Sequence, residues 1–248
     1  MSVDRLDDDD TPAAALDAYA SRETDVPGVP DGPEPRAEPQ DRAACHADLR
    51  ADAEAEYRTY AIDRGCERVC ETEQTIVTPA MRSIEAQDPD RYLVGLEHRL
   101  KGRDRIEEKV STAMSERGRT AEQAFAEIKD AIRYTLQYPD DKYSQGVRAD
   151  IARLKDAGFE PAEFRNMWTD PEYNGINSRW SVPENGQLFE VQFHTQPSFE
   201  AKQETHAAYE RLRTLPSDHE EVYKLHAYQR EVTAKIPIPP GAPEVSVP

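Results

Sequence analysis

The sequence predicts an α/β (α+β) domain in which a mixed β-sheet is flanked by helices. Three observations carry this expectation. Ile132, Tyr134, Leu136 and Tyr138 alternate with other residues as in a strand. Asn185-Gly186 joins two further strand-like runs as a hairpin, so part of the sheet is antiparallel. Between these, Val147, Ile151 and Leu154 recur at the spacing of one helix face.

Taken in order, residues 1–44 read as a disordered, acidic, Pro-rich tail. Between Met1 and Gln40 stand 11 acidic residues, 3 basic ones and six prolines, which leaves too little apolar surface to offset the entropy of ordering. The folded domain is expected over 45–235, with its core at 75–213. Leu49, Ala53, Tyr57, Tyr60, Ala61 and Val69 have near-helical spacing across 46–73. Thr78-Pro79 reads as an N-cap and first-turn proline that open a second helix. A further helix covers 103–117 and stops at Gly118, after which Thr120 caps a short turn. Then come the strand 131–138 and a helix over 143–157, stopped by Gly158. Strands follow at 159–168, 174–182 and 187–194, the last two forming the hairpin. Helices at 197–213 and 217–233 close the domain. Five prolines between Pro237 and Pro248 make 236–248 a second disordered tail.

The chain of 248 residues carries 31 Lys+Arg against 49 Asp+Glu, a formal charge of -18. That balance argues against DNA and anionic lipid as partners, since both are negative as well. No run of about 18 apolar residues is present to span a membrane. Met1 is followed by aspartates rather than by a basic and then an apolar stretch, so the expected location is the cytoplasm. Secretion after removal of a leader is the alternative. Cys45, Cys66 and Cys70 lack a histidine at zinc-finger spacing. They read as free thiols, or as a bridge from Cys45 to Cys66 or Cys70.

Within this acidic chain, Arg99, Lys101, Arg103, Arg105 and Lys109 fall inside eleven residues, with Arg105 and Lys109 neighbours on one helix face. Such a segment suits a polyphosphate, or is a solvated helix face neutralised by Glu107 and Glu108. Asp130 opens the 131–138 strand. On the strand Phe189-Glu190-Val191-Gln192-Phe193-His194, an acid, an amide and an imidazole share one face. If the two strands are adjacent, Asp130 and Glu190 can hold one Mg²⁺ together with substrate phosphate oxygens; otherwise Glu190 marks a polar, solvent-facing strand. Tyr173, just before Gly175, is either a stacking surface for a nucleobase or core packing. His206 by itself reads as a structural histidine.

In combination these segments resemble the RelA/SpoT nucleotide pyrophosphokinases, over about residues 75–213. Gly95-Leu96-Glu97-His98-Arg99-Leu100-Lys101, continued by Arg105 and Lys109, is similar to the family's basic segment that grips the ATP phosphates. Asp130 looks like its metal-binding aspartate, Tyr173 like the tyrosine that stacks on the acceptor base, and Glu190-Val191-Gln192-Phe193-His194-Thr195 like the strand bearing its essential glutamate. Glu204 and His206 match the helix that follows. Asn177 stands where the family commonly has histidine, and Ala131-Ile132-Arg133-Tyr134-Thr135 departs from its usual sequence after the aspartate.

The resemblance implies a nucleotidyltransferase-like synthetase fold of the small, single-domain kind. It implies transfer of the β,γ-pyrophosphate of ATP to the 3′-hydroxyl of a purine nucleotide (GDP/GTP or ADP/ATP), with release of AMP. Arg99, Lys101, Arg105 and Lys109 would hold the triphosphate, and Asp130 and Glu190 would bind Mg²⁺, with Glu190 also polarising the hydroxyl. Tyr173, Asn177, Gln192, His194 and His206 would form the acceptor side. Related small synthetases often oligomerise. Two alternatives stand beside this reading: pyrophosphorylation of the tRNA 3′ end, which the charge disfavours, and a degenerate, non-catalytic nucleotide-binding module.

Overall fold

A computed structural model describes residues 39–247, and their side chains from residue 47 onward. Residues 1–38 of the expected N-terminal tail and the Cys45 side chain lie outside the described residues, whereas 39–44, expected in that tail, are helical, a correction. The chain divides into two units, residues 1–49 and 50–248, and the sheet and site belong to the second.

The elements run α1 (Pro39–Thr72), a π-helical turn (Glu73–Val77), α2 (Thr78–Ala86), β1 (Tyr92–Val94), a 3₁₀ turn (Leu96–His98), α3 (Arg103–Arg117) and α4 (Ala121–Ala126). They continue with β2 (Arg133–Tyr138), α5 (Tyr143–Asp156), β3 (Glu160–Asn166), β4 (Ile176–Ser181), β5 (Leu188–Thr195), α6 (Gln196–Leu212) and α7 (Glu220–Thr233). The five strands form one mixed sheet in the order β1-β2-β5-β4-β3. β2 and β5 pair in parallel, and the other pairings are antiparallel. The fold class expected from the sequence is the one observed.

Alternation divides the sheet into two unlike faces. Tyr134, Leu136 and Tyr138 of β2, Ile176 and Trp180 of β4, and Phe189, Val191 and Phe193 of β5 are all buried on one of them. Helix α5 packs there: the Tyr143 hydroxyl donates to the Phe193 carbonyl, and Gly146 leaves room for the Tyr138 ring. The other face carries Arg133, Thr135 and Gln137 opposite Glu190, Gln192 and His194. It is not open to solvent along β5, because α6 covers it and Gln192 and His194 are buried.

Local chemistry accounts for several boundaries. Thr120 opens α4 with a reciprocal capping box to Gln123, and Gly118 ends α3 at a φ of 60° that its missing side chain permits. The helix expected from Thr78-Pro79 begins at Thr78 with Pro79 in its first turn, but the capping role expected of Thr78 is corrected. Residues 73–77 widen into a π turn instead, and Thr78 has helical angles on both sides of it. Its hydroxyl contacts the Glu73 carboxylate and the Tyr134 hydroxyl rather than capping. Pro79 has no N–H to return to the preceding turn, and the wider turn absorbs that missing bond. The disordered tail expected from 236 is corrected too. Ile236, Ala242 and Val245 are buried, Ser144 Oγ donates to the Pro240 carbonyl, and Asn166 Nδ2 donates to the carbonyls of Ala242, Pro243 and Val245. Prolines forbid a ladder there, but not packing.

A buried ion pair ties four elements behind the apolar face. The Arg91 guanidinium, 1% exposed, donates through Nε to the Ile84 carbonyl and lies 2.9 Å from Asp150 Oδ1. Asp150 also accepts from the Tyr138 hydroxyl and from Arg153, both at 2.7 Å. Cys66 and Cys70 are free thiols.

Candidate active site

The polar face is assembled by the parallel pair. Register places Arg133 opposite Glu190, Thr135 opposite Gln192, and Gln137 opposite His194. Antiparallel β4 adds Asn177 beside Gln192 and Arg179 beside Glu190. The basic segment reaches the start of β2 through backbone bonds from Lys101 N to Ala131 O and from Arg133 N to Arg99 O.

At that end, Lys101 Nζ lies 3.0 Å from Asp130 Oδ2, Lys109 Nζ 2.9 Å from Oδ1, and Arg133 Nη2 3.1 Å from Oδ2. Burial by itself would raise the Asp130 carboxyl, but Lys109 and Lys101 more than offset this and hold it down at about 2. Lys101 is pulled the other way, its ammonium lowered by burial despite Asp130. Since the folded-state value of Asp130 lies below the unfolded one, its stabilisation is complete at neutral pH and is lost as pH falls from about 4 towards 2. The shift is worth about 2 kcal/mol. The urea midpoint is expected to drop across that window, and Asp130→Asn should lack this part of the drop. Superimposable acid limbs for the two proteins would refute it.

Arg133 continues from Asp130 to Glu190: its Nε is 2.5 Å from Glu190 Oε2. The two carboxylates expected to act together are therefore neighbours, with a guanidinium bridging them. Among the described residues no three His, Cys, Asp or Glu side chains group as a metal site. Two hard carboxylates on one spot still fit Mg²⁺, which takes one or two of them and completes its shell with phosphate oxygens and water. Arg133 would have to release them.

Arg99 is close by but shared. Its Nε donates to Glu73 Oε1 at 2.7 Å and its Nη1 to the Leu96 carbonyl. Glu73 is buried, in the π turn, and its other oxygen lacks a hydrogen-bond partner among the described residues. Arg105 is not brought to Asp130. It is exposed, paired with Glu108 at 3.0 Å and 3.9 Å from Glu210 of α6.

At the far end of β5, the Tyr173 hydroxyl donates to Asn177 Oδ1 and meets His194 Nε2, each at 2.8 Å; His194 Nδ1 is 2.9 Å from Ser198 Oγ. With the phenol proton on Asn177, the imidazole carries its own on Nε2 and accepts from Ser198. Burial, and then Lys202, keep this ring neutral far below its ordinary value. A Cβ on Gly175 would come within 2.7 Å of the ring, so the close approach expected at this glycine is made to His194. The Tyr173 loop is anchored by Asn174, whose amide donates to the Met167, Trp168 and Asp170 carbonyls, and by Glu172, which binds His226 and Arg230 of α7. His206 stays exposed on α6, one turn beyond Lys202, and Glu204 accepts from the Tyr228 hydroxyl.

The structure thus gathers Lys101, Lys109, Asp130, Glu190, Gln192, Tyr173, Asn177 and His194 along one face. Sequence reasoning missed Arg133 and Lys202. Arg133 had a signal, for Arg133, Thr135 and Gln137 form a polar stripe on a strand whose other face is apolar.

No protein-family model matches the chain, and no curated protein sequence matches it. Small alarmone synthetase 1 from Bacillus subtilis matches in structure with a TM-score of 0.50 and 14% identity, over 69% of this chain and 89% of that one. The type VI effector Tas1, solved in complex with its immunity protein, matches at 0.49 and 16% identity, over 71% and 98%. A GTP pyrophosphokinase family protein from Streptococcus pneumoniae matches at 0.48 and 18% identity, over 73% and 88%. The chain has the mixed-sheet fold of the small alarmone synthetases. No described helix is long and apolar enough to cross a membrane.

Proposed function

We propose that the protein is a nucleotide 3′-pyrophosphokinase, which transfers the β,γ-pyrophosphate of ATP to the 3′-hydroxyl of a purine nucleotide and releases AMP. The observation that carries this reading is the register of β2 against β5, which puts Glu190 beside the Lys101–Lys109–Asp130 cluster and in line with Tyr173 and His194. A cationic end for the donor and an aromatic, amide-lined end for the acceptor then meet at one carboxylate.

In this mechanism Lys101 and Lys109 hold phosphate oxygens of ATP. Arg99 adds its remaining guanidinium nitrogen, fixed in direction by Glu73. Asp130 and Glu190 are the residues that would hold Mg²⁺, which when bound offsets charge on the phosphoryl oxygens. Glu190 takes the proton of the 3′-hydroxyl as that oxygen attacks the β-phosphorus; the bond from this phosphorus to the α,β-bridging oxygen breaks, and the oxygen leaves with AMP. Tyr173 presents the face on which the acceptor base stacks, and Asn177 and His194 fix that ring from below. GDP/GTP and ADP/ATP are the acceptors considered.

The test is AMP release and label transfer from γ-labelled ATP with Mg²⁺ and, in turn, GDP, GTP, ADP, ATP and tRNA. A labelled 3′-pyrophosphorylated purine nucleotide is expected. Label found solely on tRNA would replace the nucleotide acceptor by the tRNA 3′ end. Bound ATP with no transfer to any acceptor would leave a nucleotide-binding module.

A further inference from the structure

The loop between β3 and β4, which carries Tyr173, is tied at two points to the C-terminal part of the chain. At its start, the Asn166 side chain accepts from Trp168 N through Oδ1, 3.2 Å away. Through Nδ2 the same amide donates to the Ala242 and Val245 carbonyls at 2.7 and 3.0 Å. Beside Tyr173, the Glu172 carboxylate gives one oxygen to each of two α7 side chains. It accepts from His226 Nδ1 at 2.7 Å and from Arg230 Nε at 2.9 Å. Neither α7 nor the segment 236–247 has a step in the mechanism above.

Both ties are dispensable for the loop's own shape. Met167 N donates to the Gly175 carbonyl across its neck, and inside it Asp170 Oδ1 accepts from the Glu172 and Tyr173 N–H groups. Such a loop keeps its shape but swings about its neck unless something outside holds it. The Tyr173 hydroxyl is held at its tip by Asn177 and His194, and Glu172 holds the residue next to its root. Both ends must be fixed for the ring to keep one plane. An ion pair as open as that of Arg230, 60% exposed, adds little to folding stability, which leaves the placement of the loop as what this carboxylate contributes. We infer that Glu172 is a positioning residue for the acceptor, through which α7 sets the plane of the Tyr173 ring, with Asn166 bracing the loop's other end on the segment 236–247. This rests on the pyrophosphokinase reading and adds to it that acceptor affinity, but not donor affinity, depends on the C-terminal part of the chain.

The experiment pairs hydrogen exchange with steady-state kinetics on the full chain, for the wild type, Glu172→Ala and Glu172→Gln. Backbone exchange over residues 167–175 should be faster in Glu172→Ala. With whichever of GDP, GTP, ADP and ATP takes the label, its acceptor KM should rise about tenfold, within the range set by loss of one base–aromatic stack. The KM of the ATP donor and kcat should hold. Glu172→Gln, whose amide still accepts from Arg230, should keep most of the wild-type acceptor KM. Faster exchange with an unchanged acceptor KM overturns the positioning role, as does unchanged exchange. An equal rise in both KM values overturns it too and makes Glu172 structural. If Glu172→Ala does not fold, Arg230→Met cuts the same tie from α7 and is read in the same way. A wild type that passes label to no acceptor would remove the pyrophosphokinase reading and the positioning role with it, even where exchange in the loop still responds to Glu172.

Discussion

Glu190→Gln is expected to lower AMP release by a factor on the order of 10²–10⁴, the range for loss of a positioned acid–base group. ATP binding should be largely retained. The amide keeps the volume and one hydrogen-bond acceptor of the carboxylate but can neither take the hydroxyl proton nor carry charge to a metal. The donor end does not depend on it, since Lys101 and Lys109 are held by Asp130. Nor does folding require it, because Arg133 is 36% exposed and retains Asp130 as a partner. Label transfer, ATP affinity and a thermal melt on the same preparation decide the matter. A melt far below wild type would make Glu190 structural, and unchanged transfer would remove it from the chemistry.

The second large effect concerns stability. Asp150→Ala should cost about 3–5 kcal/mol, the usual penalty for removing one partner of a buried pair. The substitution takes from the Arg91 guanidinium, which is 1% exposed, its nearer carboxylate, leaving Asp88 at 3.5 Å, and takes an acceptor from the Tyr138 hydroxyl and from Arg153. The α2–β1 connection, β2 and α5 would all lose a tie together. Denaturant unfolding measures it. The double variant Arg91→Met/Asp150→Leu should recover much of the loss, since an apolar replacement of both partners leaves no bare charge. A single-variant loss below about 1 kcal/mol would show that water reaches Arg91.

What the sequence revealed and what it hid divide by range. Gly118, Thr120 and Asn185-Gly186 act within a few residues of themselves, so the end of α3, the start of α4 and the β4–β5 hairpin were all legible. Asp130 and Glu190 were legible as residue types, and adjacent strands were the condition for pairing them; the parallel register supplies it. Arg133 as a bridge and Lys202 as a neighbour of Gln192 depend on contacts 57 and 10 residues apart in the chain, which periodicity does not encode. Strand β1 has three residues, too few for alternation to show. Around 236–247, proline content announced the absence of regular structure and was silent on Asn166, whose amide gathers three carbonyls of that segment.

The π turn also constrains how the chain can change in length. Ile62 and Val69 before it and Met81 and Ile84 after it are buried in one core. Each residue advances a regular helix by about 100°, which over the twelve residues from Val69 to Met81 would leave the two about 120° apart; the π turn takes up one residue and so keeps both on the core side. Removing one residue here would leave a regular helix with the two about 20° apart, still on one face, whereas adding one would turn one of the pairs away from the core. Larger changes in length fall to connections such as 183–187, where no helical phase has to be kept.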